Sequence, residues 1–118
     1  MAGQTAASTE DASPAGFGAW LRLLREGKPA LLRTMAAAAD MDSSHLGKVE
    51  RGERLPTLDQ AGAFAKFLDV PAEEMKSRFY AAKVWLACDG DAKVAAGATS
   101  RVHEQATAYL VNNRTNKK

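Results

Sequence analysis

A chain of 118 residues is long enough for one domain, or for one compact unit of about fifty residues with an extension that needs a partner. Alanine runs such as Ala36 to Ala39 and a scarcity of β-branched stretches favour helices over strands, so the expected fold class is all-α. A net charge of +2 permits nucleic-acid binding without requiring it, because only the gathering of positive groups on one face matters. A lone Cys88 cannot close an intramolecular disulfide, no run approaches the roughly 18 apolar residues of a membrane span, and the first residues hold no apolar signal core; a cytoplasmic protein with no membrane partner is expected.

Met1 to Gly16 combine Ala, Ser, Thr, Gly and Pro with Glu10 and Asp11, too little apolar surface to offset ordering entropy, so residues 1–16 are predicted to be a disordered tail. From Phe17, the residues Phe17, Trp20, Leu21 and Leu24 recur at i, i+3, i+4 and i+7 and share one helical face. That helix should end near Glu26 and Gly27. A second, short helix is predicted over Ala30 to Ala39, with Pro29 at its start and Leu32, Met35, Ala36 and Ala39 turned inward.

Asp40-Met41-Asp42 breaks the pattern, and Asp42 can cap a third helix that carries Leu46 and Val49 inward and stops at Gly52. After Pro56, the run Thr57-Leu58-Asp59-Gln60 has a capping-box spacing, and Leu58, Ala61, Phe64, Ala65 and Leu68 line the helix that follows. Pro71 opens a fifth helix of about four turns, with Met75, Phe79 and Leu86 on one side and Trp85 nearby, closed by Asp89-Gly90-Asp91. A last amphipathic stretch runs from Val94 to Val111 through Ala98, Val102, Tyr109 and Leu110, weakened by Gly97, before a polar basic tail from Asn112 to Lys118.

Two short helices joined by Asp40-Met41-Asp42, the second opening on Ser43-Ser44-His45, make a helix-turn-helix candidate. Spacing alone is a weak signal, and the surrounding text adds to it: Leu21-Arg22-x-Leu24-Arg25, Met35-Ala36, Ser44-x-Leu46-Gly47-Lys48-Val49-Glu50-Arg51-Gly52-Glu53-Arg54-x-Pro56-Thr57 and Phe67-Leu68-x-Val70. This text strongly resembles the XRE, or lambda repressor-like, helix-turn-helix family over residues 17 to 75. The resemblance implies a compact four- to five-helix DNA-binding domain at 17–75, leaving 76–111 as a helical extension and 112–118 as a tail.

The resemblance also implies roles for particular residues. Arg25 near the end of the first helix and Glu50 at the end of the recognition helix match a structural ion pair, and Ala36 matches a close-contact position. The first turn of the recognition helix and the residue one turn on face the major groove, which selects Ser43, Ser44 and Lys48 for base reading, with His45 at the margin. Arg33, Arg51, Arg54 and the Thr57 amide are the expected phosphate clamps, although each arginine taken singly also fits a solvated surface charge. Two positions depart from the family pattern: Leu32 stands where a phosphate-binding glutamine is frequent, and Gly47 replaces a polar residue.

A single unit of this kind reads few base pairs, so two copies are expected on half-sites about one helical turn apart. The apolar residues of Ala72 to Val111 exceed what a small core needs and suggest a homodimer through the C-terminal helices; packing back on their own domain is the alternative. Residues 1–16 sum to −2, 17–70 to +1 and 71–118 to +3, which lets Arg114, Lys117 and Lys118 brush flanking phosphates.

His45 and His103 lack metal-ligand spacing, Cys88 has no partner motif, and no glycine-rich phosphate loop occurs, so neither enzyme nor cofactor is expected. The function expected is a sequence-specific regulator acting on double-stranded DNA in the cytoplasm of a bacterium or phage host, at the nucleoid, and more often as a repressor. The alternatives are an antitoxin-type module that binds a toxin and represses its own operon, and a restriction-modification controller.

Overall fold

The computed structural model describes residues 11–28 and 31–116. Residues 1–10 of the expected tail, Pro29 and Ala30 at the expected start of the second helix, and Lys117 and Lys118 lie outside the described residues. Within them the chain is all-helical: α1 (Pro14–Gly27), α2 (Leu32–Ala38), α3 (Ser43–Glu50), α4 (Leu58–Leu68), α5 (Ala72–Ala87) and α6 (Ala92–Asn116).

Helix α1 begins three residues before the apolar stripe predicts. Ser13 is its N-cap and accepts from the Gly16 N–H at 3.2 Å, while Pro14 takes the first helical position, where a missing N–H is harmless. Upstream, Asp11 accepts from the Ser13 hydroxyl at 2.5 Å and from its N–H at 2.9 Å. Those donors, the hydroxyl first, hold the Asp11 carboxyl below its ordinary range. Pro14 to Gly16, counted with the tail on composition, are therefore the first turn of a capped helix.

One core gathers the inward faces of α1 to α5. Leu21, Met35, Leu46, Val49, Phe64 and Met75 are its largest fully buried side chains, and burying each contributes on the order of 1.5–3 kcal/mol. Trp20, Leu24 and Leu32 are half-buried at its margin, and Phe17 meets Phe79 edge to face at 6.4 Å between centroids. Helix α2 is shorter than predicted, starting at Leu32 without a side-chain cap. Leu58, expected to line α4 inward, is 39% exposed because it sits in the first turn, at the rim.

Three helices end with an aspartate in the left-handed region: Asp40, Asp69 and Asp89, with φ of 58°, 58° and 52°. After α2 the Met41 N–H donates to Ala36 O and the Asp40 N–H to Ala37 O, both at 3.0 Å. This pair of bonds is the Schellman arrangement. It satisfies the last carbonyls of α2 and sets the direction in which the chain enters α3.

The sequence expectation for α5 is half right in its register. Met75 and Phe79 are buried, but the third inward residue is Ala82, and Leu86 is 57% exposed. The stripe continues geometrically to Leu86 while the core beneath it has ended. Beyond Asp91, which accepts from the Val94 N–H at 3.2 Å, α6 runs for 25 residues. It packs on α5 through its first turns, where Ala95 is buried and Ala98 half-buried. It is longer at both ends than the predicted stretch, because the Asp91 cap starts it ahead of Val94 and the asparagines after Val111 continue it, while Gly97 weakens the helix without ending it.

Candidate nucleic-acid interface

Helix α3 is fixed from behind. The Arg25 guanidinium donates through Nε to one Glu50 carboxylate oxygen at 2.7 Å and through Nη2 to the other at 3.0 Å. Their side chains are 13% and 6% exposed. The bidentate fork ties α1 to the last turn of α3 and resists rotation of one against the other. Donation to Glu50 raises the Arg25 pKa above its ordinary value, against the opposing effect of burial.

Close backbone approach completes that fixation. A Cβ on Gly18 would sit 2.5 Å from the Glu50 carbonyl oxygen and closer still to that of Val49, so only glycine lets α1 cross the end of α3 this tightly. Gly52 ends α3 with φ +78°, and a Cβ there would meet the Ala15 Cα at 2.5 Å. The Glu53 N–H donates to Lys48 O at 2.9 Å, repeating the Schellman closure seen after α2. Ala36, 1% exposed, lets α2 pack against α3.

The opposite side of α3 is open. Ser44 and Lys48 are exposed; Ser43, His45 and Gly47 are half-buried. Residues 43 and 47, and 44 and 48, are each one turn apart and share the outward face. Asp42 caps the helix, accepting from the His45 N–H at 2.8 Å, so the positive end of the α3 dipole already faces a carboxylate. Positive charge must therefore come from side chains around the helix.

Arg33 lies in the first turn of α2, exposed, and lines a shallow open groove with Leu31, Leu32 and Ser43. The fold thus places it beside the start of α3. Arg51 and Arg54 are exposed in the segment after α3. Arg51 Nε donates to Glu53 at 2.8 Å, which raises the pKa of Arg51 and lowers that of Glu53. Thr57 is committed to its capping box: its hydroxyl accepts from the Gln60 N–H at 3.1 Å, and its own N–H donates to Gln60 Oε1 at 2.9 Å. An anion at this helix end would have to use the N–H groups of Leu58 and Asp59, which have no intrahelical acceptor.

Gly18 against the end of α3, and Gly52 against Ala15, carry no local signal of these contacts. Gly18 is spaced from Val49 and Glu50 by more than thirty residues, so nothing near it in sequence announces the contact. Among the described residues no group of His, Cys, Asp and Glu could hold a metal ion, and no helix is long and apolar enough to cross a membrane.

Residues 17–77 match the family model described as a helix-turn-helix domain. No curated protein and no solved structure matches.

Proposed function

Because the chain belongs to the helix-turn-helix domain family, of the XRE/Cro-like kind, and such a domain suggests a DNA-binding regulator, we propose that it is a sequence-specific transcriptional repressor that reads the major groove with α3. The observation that carries this reading is the two-sided build of α3. Its back is locked by the Arg25–Glu50 fork and Gly18, while Ser44 and Lys48 stand exposed on its front with Ser43 beside them. A rigidly aimed short helix with small polar and cationic side chains outward suits base-edge contact. Lys48 donates to guanine O6 and N7; Ser43 and Ser44 bond base edges, with His45 at the margin. Arg33 and Arg54, with the start of α4 at Thr57, hold phosphates on either side.

Two copies bind half-sites on one DNA duplex, joined through the surfaces of α5 and α6. Leu86, Val102, Tyr109 and Leu110, each more than half exposed, supply the apolar contact. The same exposure favours a second reading in which another small protein covers α6 and the pair represses its own operon, as a toxin and antitoxin do.

Selection of duplex DNA by the purified protein tests the proposal. A near-palindromic sequence is expected. Lys48→Ala should relax preference at one position per half-site by about 5- to 150-fold, whereas Arg33→Ala should weaken every sequence and reduce the salt slope by about one. Binding no tighter than to random DNA would overturn the reading. Light scattering separates homodimer from monomer, and co-purification with a second small protein favours the toxin-binding alternative.

A further inference from the structure

The segment after α3 invites a phosphate role for Arg51, yet its side chain turns back toward Gly47 of α3. The position a Gly47 Cβ would occupy lies 3.2 Å from Arg51 Nη1. Helical side chains lean toward the N-terminus, and with no side chain at 47 the guanidinium lies back along the outward face of α3, about one turn nearer Ser43 than its own Cα. Glu53 takes its Nε at 2.8 Å. Among the described residues no acceptor engages its two terminal nitrogens.

We propose that Arg51 is a base-reading residue, laid onto the groove-facing surface by the missing side chain of Gly47 and held there by Glu53, and that it recognises guanine end-on through Nη1 and Nη2. The inference rests on the reading of α3 as the groove-inserted helix. Its chemistry follows from the fork: two parallel N–H donors match guanine O6 and N7, which no other base presents as a pair of acceptors in the major groove. A carboxylate on Nε leaves that terminal edge free and restricts the side chain before DNA arrives, so less conformational freedom is lost on contact. Gly47 is not demanded by the protein's own packing, since the atom nearest its absent Cβ is the end of this flexible side chain. The departure from a polar residue at 47 and the placement of Arg51 thus have one cause.

The test compares duplex selections by the full chain carrying Arg51→Ala, Arg51→Lys and Gly47→Ala, at two salt concentrations, with thermal melting as the control for folding. Arg51→Ala should flatten preference at one guanine-containing position by about 5- to 150-fold. Arg51→Lys, which keeps the charge and loses the fork, should not restore it. Gly47→Ala should weaken preference at that same position without lowering the melting temperature. The proposal is overturned if Arg51→Ala weakens all sequences equally and Arg51→Lys restores them, the behaviour of a phosphate clamp, while the unaltered chain still selects its sequence. If the unaltered chain selects none, it is the reading of α3 that fails.

Discussion

Helices α1 to α5 and helix α6 draw on the same alanine-rich composition and use it in opposite ways. In the first region small residues bring helices together: Ala36, Ala61, Ala65 and Ala82 are buried, and Gly18 lets α1 touch the α3 backbone. In α6 a comparable supply of Ala, Gly, Ser and Thr lies in water, with Ala95 buried and Ala98 half-buried. Small side chains permit close approach; whether it occurs depends on large ones that drive burial. Phe17, Leu21, Met35, Leu46, Phe64 and Met75 supply that drive to the first region. The large residues of α6, Val102, Tyr109 and Leu110, face outward.

The largest loss is expected at the fork between α1 and α3. Glu50→Ala leaves a nearly buried guanidinium without its carboxylate, and a loss of about 3–5 kcal/mol is expected. Denaturant titration checks it; an unchanged melting temperature would refute the role given to the fork. Gly18→Ala forces a methyl group against the carbonyls of Val49 and Glu50, and about 1–3 kcal/mol should be lost as α1 and α3 separate, with DNA selectivity falling alongside stability.

Smaller effects sharpen the contrast. Thr57→Ala removes the α4 cap seen from both partners and should lower stability by about 1 kcal/mol. Asp40→Gly removes the left-handed strain of a non-glycine residue at φ 58° and should raise stability by up to about 1 kcal/mol, measured as a higher denaturation midpoint. Leu110→Ala and Val102→Ala in α6 should change the stability of the isolated chain by no more than about 0.5 kcal/mol. If they lower the melting temperature in a concentration-dependent manner, α6 is covered by another molecule in solution.

Local chemistry was the legible part of the sequence. The apolar stripe of α1, the Asp42 cap, the capping box at Thr57 and Gln60, and the stop at Gly52 each occupy a few consecutive residues, and periodicity or cap spacing reveals them. The early start of α1 was equally local, since Ser13-Pro14 is a cap followed by a first-turn proline; compositional bias toward Ser, Gly and Ala masked it. Contacts between distant segments were not legible in this way. Arg25 and Glu50 are 25 residues apart, and their pairing comes to the sequence only through family resemblance. Gly18 against Val49, Gly52 against Ala15, and the exposure of Leu86 all depend on where helices cross and where the core ends, which no single segment specifies.

Helix α6 also sets a mechanical scale. At 1.5 Å per residue its 25 residues make a rod roughly 37 Å long, anchored at one end beside the turn where Asp89 and Gly90 both have positive φ. Leverage follows from that length: a rotation of about 10° at the turn carries the far end through roughly 6 Å, close to two base-pair steps of DNA. Any body attached near Tyr109 is therefore positioned by this turn together with the packing of Ala95 and Ala98 on α5, more than thirty residues away from α3, and substitutions there should alter the separation between bound bodies without touching a contact in either.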